Sequence, residues 1–124
     1  MTIEQTFEAT PQGMLDALAF LEGFCEHPKA AVIHDEIVSN IIRCSGSKSF
    51  SVKLTRDDGE LTMSYSDAGK PFNPLTDAQD PDISAAIEDR SVGGLGIFMV
   101  KKMSKSVEYV REGDTNVLTV KVAI

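Results

Sequence analysis

SFSVKLTRDDGELTMSYSD, residues 49–67, reads as a β-hairpin. In its first arm Phe50, Val52 and Leu54 alternate with polar residues, and in its second Leu61, Met63 and Tyr65 do the same. That period of two gives each strand one apolar face. Asp58-Gly59 between the arms is a strong two-residue turn signal. A hairpin with one apolar face is marginal in water until a second layer covers it. The flanking sequence supplies that layer.

On the N-terminal side, residues 2–8 alternate around Ile3 and Phe7 and fit an edge strand. Thr10 can cap a helix with Pro11 at its first position. Met14, Leu15, Leu18, Leu21 and Phe24 then recur at helical spacing to about Glu26, and Pro28 ends the segment. A second helix is expected over residues 29–44, with Ile33, Ile37 and Ile41 on one stripe and CSGSKS stopping it. On the C-terminal side lies a polar, acidic, proline-bearing stretch, DAGKPFNPLTDAQDPDISAAIEDR, in which ISAAIED alone suggests a helical turn or two. Inside a small domain such a stretch is usually a functional loop or lid. SVGGLGIFMVKKM, residues 91–103, reads as a glycine loop feeding a helix, and two strands come after it at 107–111 and 116–122. The order predicts a single α+β domain over residues 1–124. Its architecture is a two-layer α/β sandwich, a mixed, mostly antiparallel sheet with helices on one face.

At 124 residues, 42% hydrophobic and 25% charged, the chain can bury one globular core. Its net charge of −7 argues against nucleic acid and against an anionic membrane, both of which call for a basic footprint. No apolar run approaches the roughly 20 residues that span a bilayer. MTIEQTFEAT has no signal-peptide pattern, so a cytoplasmic location is expected. Cys25, Cys44, His27 and His34 match no zinc spacing, and both cysteines are expected to be buried free thiols.

Three short motifs could carry chemistry. Glu36 and Asn40 stand four apart and share a helix face displaced by about 100° from the isoleucine stripe. A carboxylate can accept a hydroxyl proton and an amide oxygen is a hard ligand suited to Mg²⁺; equally, such a pair can be plain solvated surface. Asp67-Ala68-Gly69 ends a strand, either as an ordinary turn or as a buried carboxylate that reads an exocyclic amine, with Gly69 letting the backbone come close. GGLG before a helix can hold an anion on unpaired N–H groups or simply enter the helix. It is not a P-loop, having no Gly-Lys-Ser/Thr. Nor is it a dinucleotide fingerprint, because Met99 stands where the third glycine belongs.

Taken in order, HDEIVSNII, SDAGKPFNP and SVGGLGIFMVKKM resemble the motifs of the GHKL ATPase superfamily, which includes gyrase and the histidine kinases. The resemblance is strongest to the small bacterial anti-sigma-factor serine/threonine kinases and stand-alone ATP-binding regulatory proteins like them. It implies a Bergerat-type fold and ATP and Mg²⁺ as cofactors. By the same resemblance Glu36 would be the general base, Asn40 would hold the metal, and Asp67 with Gly69 would read adenine. The backbone of Gly93, Gly94, Leu95, Gly96 and Ile97 would face the phosphates, with Arg90 just before them. The implied substrate is a serine or threonine on an anti-anti-sigma (STAS-type) antagonist, with a sigma factor as a further partner and a homodimer as the common assembly. The alternative is a nucleotide-binding partner-switching module without phosphotransfer. The catalytic part of a histidine kinase is the weaker third reading, since His27 and His34 fall inside the first layers of the domain.

Overall fold

The computed structural model of the chain describes residues 1–77 and 92–124, the side chains of 76–77 and 92–95 excepted. The hairpin forms as the alternation predicts. Strand β2 (Ser49–Asp57) pairs antiparallel with β3 (Glu60–Asp67), Val52 opposite Tyr65 and Leu54 opposite Met63. Gly59 turns the corner at φ 68°, a conformation that costs a glycine little. Phe50, Val52, Leu54, Leu61, Met63 and Tyr65 are each no more than 1% exposed.

Strand β1 (Thr2–Glu8) covers the free edge of β2. Strands β4 (Ser106–Glu112) and β5 (Thr115–Ala123) form a second hairpin across Gly113-Asp114. It is β5 that docks beside β3, giving the order β1-β2-β3-β5-β4. The reason lies in the inward positions: Leu118, Val120 and Val122 of β5 are buried, whereas Val107 and Tyr109 of β4 are half-buried and suit an edge. All the described pairings are antiparallel, so the expected mixed sheet is purely antiparallel among the described residues.

Helices α1 (Pro11–Phe24) and α2 (Pro28–Asn40) lie on the apolar face. Thr10 caps α1, its hydroxyl accepting from the Gly13 N–H at 3.0 Å. Pro28 both stops α1 and starts α2, with His27 Nδ1 accepting from the Lys29 N–H at 3.2 Å. The buried stripe of α1 is Gly13, Ala17 and Leu21, and Leu15, expected on that stripe, is 62% exposed. Gly13 decides this, because any side chain there would overlap the carbonyl of Glu8. The turn set that closely against β1 faces the layer. Ile33, Ile37 and Ile41 of the second stripe are buried as expected. Cys25 is buried, but Cys44 is only half-buried, which corrects the reading of both as core thiols.

Two further elements complete the layer, the single turn α3 (Pro74–Asp77) and the helix α4 (Val92–Met103), which packs beside α2. The expected turn at ISAAIED, and Arg90, lie outside the described residues. No helix among the described residues is long and apolar enough to cross a membrane.

His34 is fully buried on α2, sharing a 2.7 Å hydrogen bond between its Nδ1 and the Tyr65 hydroxyl, while its Nε2 has no partner among the described residues. Burial lowers its pKa from 6.5 to about 4. Below pH 6.5 the unfolded chain therefore binds a proton that the folded chain refuses. Stability is full above that value and declines as the pH falls toward 4. Urea unfolding should show a loss of about 2 kcal/mol between pH 7 and pH 5 in excess of that in a His34→Gln variant. Equal losses in the two proteins would show that His34 does not titrate this way.

Candidate functional site

The expected helix over 29–44 does not stay α-helical. It ends at Asn40, and Ile41–Ser45 wind one π-turn that closes at Gly46, φ 73°. A π-turn inserts an extra residue and re-aims the chain beyond it, and such turns gather at functional sites. Here it carries the backbone of Ser45 toward the end of β3. The Lys70 N–H donates to the Ser45 carbonyl at 2.9 Å, and Gly69 lies so near that a side chain there would overlap the same carbonyl. Tertiary contact, rather than helix propensity, decides this segment.

Between α2, the π-turn, the ends of β3 and β5 and the loop after β3 opens a pocket of about 370 Å³, part of it continuous with solvent. Ile37, Ile41, Tyr65 and Leu118 form an apolar floor; Phe72, Pro74 and Tyr109 shape the entrance; Asn40, Ser45, Asp67 and Asn116 are the polar lining. Apolar walls with a few placed polar groups are the general form of a small-molecule site.

Asp67 is 8% exposed. Its Oδ1 accepts from the Gly69 N–H at 2.9 Å and from Asn116 Nδ2 at 3.1 Å. No hydrogen bond among the described residues ends on Oδ2, which leaves one carboxylate oxygen for a donor brought by a ligand. Asn40 Nδ2 donates to the Glu36 carbonyl at 2.9 Å, which likewise leaves its Oδ1 open. Glu36 stands one turn earlier on α2 and is half-buried. Its carboxylate lies against Gly96 of α4, where an added methyl group would overlap Oε2 and Cδ.

The glycine segment differs from expectation. Gly93, Gly94, Leu95 and Gly96 do not form a loop ahead of the helix but lie within α4 (Val92–Met103). Ile97 is 3% exposed. Apolar positions at Ile97 and Val100 drive this outcome, because burying them winds the preceding residues into the same helix.

Asn116 carries no motif in the sequence. Its Nδ2 donates to Asp67 Oδ1 and, at 2.8 Å, to the Lys70 carbonyl; its Oδ1 accepts from the Phe72 N–H at 3.2 Å and from the Tyr109 hydroxyl at 2.5 Å. All four of its hydrogen-bonding capacities are used. It ties β5 to the loop after β3 and fixes the orientation of Asp67. The available signal was an asparagine at an inward register position of a strand, where that residue is disfavoured. Ser45 escapes sequence reasoning for another reason: only the π-turn brings it to the pocket.

A two-layer sandwich with its pocket between a helix and the end of a central strand is the architecture of the GHKL-type ATPase domains. The chain belongs to that class: the histidine kinase-like ATPase domain family matches residues 17–122. Among solved structures it is similar to the Acinetobacter baumannii histidine kinase AdeS (TM-score 0.59, 13% identity, covering 98% of this chain and 67% of that one). It is also similar to the RsbU and RsbW domains of Rv1364c from Mycobacterium tuberculosis (TM-score 0.64, 15% identity, 99% of this chain and 32% of that one). A third is the histidine kinase domain of the Erythrobacter litoralis EL346 blue-light activated histidine kinase (TM-score 0.52, 12% identity, 90% and 59%). At such identities these likenesses speak to the fold, and the chain spans 32% to 67% of the length of those proteins. No curated protein matches the sequence significantly. Membership in an ATPase domain family implies that ATP is bound.

Proposed function

We propose that the chain is an ATP- and Mg²⁺-dependent serine/threonine protein kinase of the anti-sigma type. It phosphorylates an anti-anti-sigma (STAS-type) antagonist and regulates by partner switching, with a sigma factor as the alternative partner. The supporting observation is Glu36: a half-buried carboxylate with no hydrogen bond from the described residues, one turn from Asn40 and beside α4. A carboxylate so placed can take the proton of an incoming serine hydroxyl. In this reading Asp67 accepts from the adenine amine, with Gly69 keeping the backbone close behind it. The amides opening α4, from Gly93 and Gly94 onward, face the phosphates. Asn40 Oδ1 would hold Mg²⁺, which when bound neutralises phosphate charge. The catalysis left to the protein is mostly positioning. Isothermal titration with ATP and Mg²⁺ should show one site per chain, and heat from mixing alone would remove the kinase and leave a protein-interaction domain.

A further inference from the structure

Glycine inside a helix is disfavoured relative to alanine, so Gly96 in α4 calls for a reason. Phosphate binding by its own amide does not supply one. Inside α4, helix geometry commits the Gly96 N–H to the Val92 carbonyl four residues earlier. What Gly96 does touch is Glu36. A Cβ at position 96 would overlap Glu36 Oε2 and Cδ and would stand 3.1 Å from Cγ, so the end of the Glu36 side chain lies flat on the bare backbone of α4. No hydrogen bond among the described residues holds that carboxylate, which leaves this seat as its restraint.

We propose that Gly96 is a positioning residue: by lacking a side chain it forms the seat that sets the Glu36 carboxylate for proton transfer. This rests on the reading of Glu36 as the base. It separates the glycines of GGLG by task, the earlier ones opening the helix and Gly96 placing the base.

Gly96→Ala tests it. The overlap falls on the mobile end of a side chain, so the helix stays and the carboxylate swings away. ADP release from Mg·ATP, with water in place of the serine hydroxyl, should fall about 10²-fold, the usual cost of a misplaced catalytic group. ATP affinity by calorimetry should stay within about threefold, since the loss is in turnover and not in binding. The carboxyl ¹³C resonance of Glu36 should move without nucleotide. In a Glu36→Ala background, which removes Cγ, Cδ and the carboxylate from the seat, adding Gly96→Ala should change the residual rate no further. That pair relieves the overlap and so carries the comparison even if the single variant unfolds. An unchanged rate in Gly96→Ala, a loss of ATP affinity at constant turnover, or an additional loss in the Ala background would overturn the proposal. Wild-type protein that releases no ADP from Mg·ATP, either alone or with a serine-bearing antagonist, would instead refute the catalytic reading. The seat is then decided by the resonance alone: movement in Gly96→Ala supports it, and no movement overturns it.

Discussion

Glu36→Gln should reduce phosphoryl transfer to a serine-bearing antagonist by about 10²–10⁴-fold, the range that a positioned general base contributes. Glutamine has the same shape, so it fits the same seat against Gly96 and leaves the packing of α2 on α4 intact. What changes is basicity, because an amide oxygen cannot hold the serine proton. The substitution also removes a negative charge from the neighbourhood of the phosphates, so ATP affinity should hold or tighten slightly. Transfer from γ-labelled ATP, measured beside calorimetric ATP binding, separates the two effects. A variant that transfers phosphate at the wild-type rate would remove Glu36 from the chemistry, and one that loses ATP binding would give it a structural role.

Asp67→Asn should weaken ATP binding by about 10- to 10²-fold, the equivalent of one hydrogen bond to a charged group, roughly 1.5–3 kcal/mol. The two carboxylate oxygens are not equivalent. Oδ1 accepts from the Gly69 N–H and from Asn116 Nδ2, and an asparagine oxygen in that place keeps both bonds, so the fold is retained. Its Nδ2 then occupies the position of Oδ2 and presents a donor to the donor of the adenine amine. Discrimination against adenine should result, with ATP losing more affinity than a purine nucleotide carrying a carbonyl at the same position. Equal affinities of wild-type and variant for ATP would show that the carboxylate does not read the base.

Much of the architecture is written locally. The alternation of Phe50, Val52 and Leu54 against Leu61, Met63 and Tyr65, with Asp58-Gly59 between, suffices to place the central hairpin and its buried face. Thr10-Pro11 and His27-Pro28 mark the starts of two helices by capping chemistry that acts over three residues. Such features need no distant partner. Asn40 and Asp67, singled out on separate segments, line one pocket, because the isoleucine stripe of α2 packs on the inner face of the sheet.

Contacts between distant segments decide the rest. Asn116 is an ordinary polar residue in the sequence, and the structure makes it the clamp on Asp67, a partner 49 positions away. The π-turn at Ile41–Ser45 and the rotation of α1 arise from backbone approaches at Gly69 and Gly13 that no period in the sequence reports. The glycines of GGLG read as a loop because glycine disfavours helix in isolation. Burial of Ile97 and Val100 overrides that preference, and Gly96 is tolerated where a bare backbone must receive Glu36. Strands, helix starts and residue types fit for nucleotide chemistry are legible along the chain, since periodicity and capping are local. Which of them meet is settled in three dimensions, because a close approach depends on atoms that the chain brings together from far apart.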